Sequence, residues 1–150
     1  MTVKIRNAST KDISSILFIE NNCFLSEKIS QRQLIYLLTK GKCIVLVGEK
    51  YSKIVSYCIY LKPKLPKPAR LYSIAVLENF RGKGIAKQLI TYGLKNIILL
   101  GYNRIRLEVR SSELNVQKIY TQMGFEVICK LPSYYENSKE GLRMELNLKK

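Results

Sequence analysis

Arg70 to Gly101, RLYSIAVLENFRGKGIAKQLITYGLKNIILLG, holds a strand, a glycine-bearing turn and a helix in that order. Leu71 to Leu77 is a short, mostly apolar run with Tyr, Ile and Val in it, the pattern of a strand buried on both faces, and Glu78 and Asn79 end it. From Gly84 onward, Ile85, Ala86, Leu89, Ile90, Leu94, Ile97 and Ile98 recur at separations of mostly three and four, which predicts a helix with one apolar face. Gly101 is placed to stop it. Between strand and helix lies Arg81-Gly82-Lys83-Gly84-Ile85-Ala86, where two residues without side chains let a ligand approach the backbone of the helix's first turn. Unpaired amide hydrogens and the positive end of the helix dipole make a phosphate or pyrophosphate the natural guest.

The turn has neither the GxxxxGK[ST] spacing of a Walker loop nor the third glycine of GxGxxG, since Lys87 stands there. Arg81, Gly84 and Ala86 fit RxxGxA, one form of the [QR]xxGx[GA] signature, and in this the stretch resembles the GNAT acetyltransferase superfamily. Taken alone, six residues leave open a helix start in which the glycines only relieve crowding.

The rest of the chain narrows the choice. Its 150 residues suit one domain, 1–150, with a proper core. No run approaches the roughly 18 uninterrupted apolar residues of a membrane span, and MTVKIRNAST has no apolar signal core, so the expected location is the cytoplasm. Cys23, Cys43, Cys58 and Cys129 are far apart, and histidine is absent, which excludes zinc sites of the usual spacing and any Cys-His or Ser-His nucleophile. No metal is expected, and the cysteines read as free, buried thiols. Acid-base work falls to Glu, Asp, Lys, Tyr or Cys. The net charge of +15 suggests an anionic partner, yet Lys and Arg are scattered without a block, as on an ordinary solvated surface.

Along the chain, Val3 to Arg6 alternates as a strand. Ser9 with Asp12, and Ser30 with Gln33, cap two amphipathic helices, running toward Cys23-Phe24 and from Gln31 to Thr39. Cys43 to Glu49 and Lys53 to Lys62 read as paired strands, followed by a proline-stiffened excursion to Ala69. After the central helix come a strand Arg104 to Arg110 with one apolar and one charged face, a helix Leu114 to Met123, a strand Phe125 to Leu131, a loop Pro132 to Gly141 and a strand Leu142 to Leu148. The order β-α-α-β-β-β-α-β-α-β-β is mixed α/β. It is also the order of the GNAT fold, whose central mixed sheet of about seven strands, with about four helices, is splayed to admit the cofactor.

Acyl transfer from a thioester to an amine needs a base for the ammonium proton, donors for the developing oxyanion and an acid for the departing thiolate. Glu108 and Tyr120 lie on the two elements that follow the central helix. Leu107-Glu108-Val109-Arg110-Ser111-Ser112, then Ile119-Tyr120-Thr121-Gln122-Met123-Gly124-Phe125, resemble the LEVRxSN and LYxxxGF motifs of the ribosomal-protein alanine N-acetyltransferases of the RimI type. Tyr134-Tyr135 and Glu140 to Met144 resemble that family's ending. The likeness is specific from about Arg70 to Leu148 and rests on pattern alone before that.

The resemblance implies Glu108 as general base, directly or through water, and Tyr120 as the acid for the coenzyme A thiolate. It implies acetyl-coenzyme A as cosubstrate, with Ile74, Ala75 and Val76 pairing its pantetheine arm and Arg81, Gly82, Lys83, Gly84, Ile85 and Ala86 holding its pyrophosphate. Tyr134 and Tyr135 would close over an acceptor peptide. The sequence departs from the family in two places. Glu113 stands where Asn would bond the cofactor, leaving Asn115 as the candidate, and Leu25 to Ile29 lacks the family's Pro and Trp. Read without the family, Glu108 shares a strand face with Arg106 and Arg110 and would be neutralised by them, and Tyr120 would be a core tyrosine.

The expected activity is acetyl-coenzyme A-dependent N-acetylation of a primary amine, a peptide or protein N-terminal α-amine, by direct attack in a ternary complex. Two alternatives stand beside it. One is an acetyltransferase for a small-molecule amine; the other is a basic RNA- or ribosome-binding module with a non-catalytic coenzyme A site.

Overall fold

Seven strands and four helices are laid down in the expected order in a computed structural model, which describes residues 1–149. The strands are β1 (Lys4–Asn7), β2 (Cys43–Lys50), β3 (Lys53–Leu61), β4 (Ala69–Val76), β5 (Arg104–Arg110), β6 (Glu126–Tyr135) and β7 (Lys139–Asn147). The helices are α1 (Ile13–Cys23), α2 (Gln31–Thr39), α3 (Ile85–Leu99) and α4 (Leu114–Gln122). Both capping boxes form: Ser9 and Asp12 exchange side-chain and backbone bonds, as do Ser30 and Gln33. Arg6 adds two hydrogen bonds to Asp12, at 2.8 and 2.9 Å, and these hold the buried carboxyl below its ordinary pKa.

One sheet runs in the order β1-β2-β3-β4-β5-β7-β6. Every pairing is antiparallel except β4 with β5. The alternation in β5 sends Ile105, Leu107 and Val109 into a core with Tyr60, Leu71, Leu89, Ile90 and Phe125, on the side that α3 covers. On the other face α1 and α2 bury Ile16, Ile19 and Leu34 against Val45, Val47, Tyr57 and Ala75. These two helices cover β2 to β4. Beyond them the charged face of β5 and β7 is left for other work.

Helix α3 lies close to β3 because residue 93 has no side chain. The Tyr60 hydroxyl donates to the Ile90 carbonyl at 3.0 Å, and a Cβ on Gly93 would sit 2.1 Å from Tyr60 Cε2. Gly93→Ala should therefore destabilise the protein by about 1–3 kcal/mol through forced overpacking. A urea titration should show a lower midpoint with an unchanged slope.

Three expectations are corrected. Strand β4 packs against the cores on both faces, but not continuously. Ile59 faces Ser73 while Tyr60 faces Leu71, so Tyr72 is an extra, bulged residue, 41% exposed. The bulge keeps Leu71 in the α3-side core and turns Ala75 into the α1-side core. Residues 132–141 are not a loop. β6 continues to Tyr135 and β7 begins at Lys139, with only a short turn, Glu136–Ser138, between them. An edge strand tolerates Pro132, and the register shifts between Leu131 and Tyr135. The cysteines are all free, but only Cys58 is fully buried; Cys129, on that edge strand, is exposed.

Candidate active site

The β4-β5 pairing joins Ala69 to Ile105 and Arg70 to Arg106 and then stops. β4 continues along β3 as far as Val76, and β5 along β7 as far as Arg110. The two central strands thus part into a seam, with Ile74, Ala75 and Val76 on one edge and Leu107 to Arg110 on the other. Backbone groups on the inner edges have no ladder partner across the gap, which suits them to pair with an extended ligand.

The glycine turn closes one end of the seam. Gly84 is the N-cap of α3, left-handed at φ 81°, and contributes no side-chain bond to the helix start. Gly82 is also left-handed at φ 73°, and nothing lies within 4 Å of where a Cβ would stand on either residue. The first amides of α3, at Ile85, Ala86 and Lys87, have no acceptor within the helix, whose bonding begins with Gln88 donating to Gly84. Open space over free amides at a helix start fits a pyrophosphate. Arg81 does something else: its Nε donates to the Val76 carbonyl at 2.8 Å and Nη2 lies 3.3 Å from Cys23 Sγ. It fastens the turn to the end of β4 and to α1, while Lys83 stays exposed.

Glu108 lies on the other wall with its side chain 7% exposed. Its guanidinium partners are not the Arg106 and Arg110 of its own strand. Arg70 Nη2 reaches Oε1 at 2.5 Å and Arg143 Nε reaches Oε2 at 3.0 Å. Arg106 pairs instead with Glu145 at 2.6 Å, and Arg110 with Glu27 at 2.7 Å. The cross-strand register puts Arg143 directly opposite Glu108, and the alternation of Leu142, Arg143 and Met144 is the sequence signal from which this was readable. Arg70 and Glu27 carried no such signal.

Tyr120 sits in the last turn of α4, 6% exposed, its ring 5.7 Å from Phe125. Burial, reinforced by Tyr135, Cys58 and Glu113, pushes its phenol well above the ordinary value. Tyr134 and Tyr135 stack edge to face at 4.9 Å, and Arg70 donates to the Tyr134 hydroxyl at 3.3 Å. Burial raises Tyr135 to about 12, with Tyr134 and Glu108 adding to the effect. Arg110 stacks on Tyr135, 4.5 Å from the ring centroid. Glu27, in the α1-α2 loop, grips Arg110 and accepts the Glu136 amide at 3.3 Å. The loop thereby meets the β6-β7 turn. Asn115 is exposed near the start of α4. Among the described residues no cluster of three or more Cys, Asp or Glu is set to hold a metal, and no helix is long and apolar enough to cross a membrane.

The acetyltransferase (GNAT) domain family matches residues 8–148. The chain is 29% identical over 153 residues to an N-alpha-acetyltransferase of Sulfurisphaera tokodaii, covering 94% of this chain and 90% of that one. It is 36% identical over 105 residues to the ribosomal protein bS18-alanine N-acetyltransferase of Haemophilus ducreyi, covering 65% of this chain and 71% of that one. Among solved structures, the ribosomal-protein-S18-alanine N-acetyltransferase of Escherichia coli superposes with a TM-score of 0.88 at 18% identity, over 99% of this chain and 96% of that one.

Proposed function

The chain belongs to the GNAT acetyltransferase family and is an N-acetyltransferase, and we propose that its donor is acetyl-coenzyme A and its acceptor the α-amine at a peptide or protein N-terminus. The observation that supports this reading is a shielded carboxylate, Glu108, on one wall of the opened seam, with a buried, protonated phenol, Tyr120, on the helix that follows that wall's strand.

When bound, acetyl-coenzyme A supplies an acyl group activated as a thioester. The amides at the start of α3 and the space over Gly82 and Gly84 would receive its pyrophosphate, and the free edge of Ile74 to Val76 its pantetheine arm. Glu108 takes the proton from the incoming ammonium, directly or through water. Each carboxylate oxygen gives one lone-pair direction to a guanidinium and keeps another for this proton. Tyr120, kept neutral by burial, gives its proton to the departing thiolate. Arg70 and Arg143 fix the orientation of the base. Tyr134 and Tyr135, backed by Arg70 and Arg110, form the wall against which the acceptor's first residues lie.

A peptide α-amine is favoured over a polyamine because the acceptor face carries Arg70, Arg110 and Arg143 against Glu108 and Glu27, a net positive setting that raises the cost of bringing in several positive charges. The test is acetyl transfer to short peptides with different N-termini, with free lysine and spermidine alongside. Turnover confined to particular N-terminal residues is expected; turnover of spermidine or the lysine side chain instead would overturn the acceptor assignment.

A further inference from the structure

Glu20, in the last turn of α1, is a carboxylate that the proposed chemistry does not use, and it is only 2% exposed. Its Oε2 accepts the Ile29 amide at 2.9 Å. Its Oε1 accepts the Tyr57 hydroxyl and lies 3.5 Å from Ser73 Oγ, and those two hydroxyls are 2.9 Å apart. One side chain thus ties α1, the α1-α2 loop, β3 and β4 together. Ser73 is the residue that follows the Tyr72 bulge, on the strand that forms one edge of the seam. Ile29, 8% exposed, is the root of the same loop whose Glu27 reaches across to Arg110 and the Glu136 amide.

Among the described residues Glu20 makes no ion pair. Burial pushes its carboxyl above the ordinary value, with the Ile29 amide, Ser73 and Lys28 pulling the other way. A buried carboxylate of this kind is costly for packing alone, since an apolar residue of similar volume would fill the space without desolvating a charge. What an apolar residue would not supply is a fixed acceptor for the Ile29 amide and two hydroxyls at once. The loop root is thereby set at one height above β4, and the reach of Glu27 follows from it. Glu27 itself sits at φ 56°, so its direction depends on a backbone that the loop's anchors must hold.

We propose that Glu20 is a positioning residue for the acceptor: its carboxylate fixes the α1-α2 loop against β4 so that Glu27 meets Arg110 and the tyrosine pair over the seam. The proposal rests on reading that face as the acceptor side. Its consequence is a split in the kinetics, because the donor amides at the start of α3 and the proton-transfer residues are held by other contacts.

The test compares wild type, Glu20→Ala, Glu20→Gln and Ser73→Ala, using whichever amine the wild-type enzyme turns over, so that failure of the peptide reading does not carry over to Glu20. Glu20→Ala leaves the buried Ile29 amide and the Tyr57–Ser73 hydroxyl pair without their shared acceptor, and should raise the acceptor KM about tenfold or more. kcat should stay within about twofold, as should the coenzyme A Kd by calorimetry. Amide hydrogen exchange in residues 24–30 should quicken. Glu20→Gln keeps an oxygen for Ile29 and sets its amide against hydroxyls able to accept, so it should recover most of the acceptor affinity. Ser73→Ala removes one contact of the cluster and should give a smaller rise in acceptor KM. A purely structural Glu20 would weaken coenzyme A and acceptor binding together, and that result overturns the proposal. So does an unchanged acceptor KM alongside faster loop exchange. Should Glu20→Ala fail to fold, Glu20→Gln and Ser73→Ala decide: wild-type acceptor KM in both sinks the idea, and a selective rise in Ser73→Ala upholds it.

Discussion

Replacing Tyr120 with Phe is expected to lower kcat about 10²-fold or more, with the coenzyme A Kd nearly unchanged. The change removes one hydroxyl from a ring buried against Phe125 and keeps the packing. A loss of that size with binding intact is the signature of an interaction made in the transition state. The phenol's raised pKa also fixes the pH behaviour. Raising an acid's pKa favours its protonated form, so Tyr120 stays a proton donor throughout neutral and mildly alkaline pH. The kcat profile of the wild type should show no falling limb from Tyr120 below about pH 10, the ordinary tyrosine value. A decline centred near pH 8 that disappears in Tyr120→Phe would contradict the assignment of burial as the controlling influence.

Glu108→Gln is the second large effect, again about 10²-fold or more in kcat. Glutamine keeps the shape and one acceptor oxygen, so it holds one of the two guanidiniums and loses the other. Arg70 and Arg143 are 40% and 33% exposed, so water compensates the one released and folding should survive. Stopped-flow measurement at saturating acetyl-coenzyme A separates the chemical step from product release. If a variant with intact coenzyme A binding retains wild-type kcat, Glu108 serves as an ion-pair anchor for Arg70 and Arg143 and proton removal belongs elsewhere.

The sequence carried the strand-turn-helix unit, the element order and both capping boxes because each is written in local spacing: apolar residues at three and four, alternation by two, a cap and its partner three apart. What it withheld depends on residues far apart in the chain. The extra residue at Tyr72 is visible only against the register of β3. Glu108 shares its own strand face with Arg106 and Arg110, yet its partners come from 38 residues before and 35 after, because strand order, not chain order, brings Arg70 and Arg143 alongside. Pro132 interrupts the strand pattern ahead of Tyr134 and Tyr135, and only the edge position of β6 explains why the strand continues through them. The resemblance makes Arg81 to Ala86 a pyrophosphate loop, and no local pattern shows that the Arg81 side chain is turned to Val76 and Cys23. Glu20 looked like one polar residue on an amphipathic helix, and burial alone distinguishes it.

Two aligned residue pairs join β4 to β5, against seven between β5 and β7. The sheet is in effect two leaves on a short spine, and under the proposed function a donor lying between them would serve as the missing ladder. Occupancy then becomes cohesion as well as catalysis. A ligand that binds only the folded form adds about 2.7 kcal/mol at a hundred times its Kd, so the melting temperature should climb with coenzyme A concentration. A flat melting temperature in the presence of measured binding would mean that the leaves hold together without it. Otherwise, a variant that binds the donor poorly will also be the one that lasts least well when the donor is scarce.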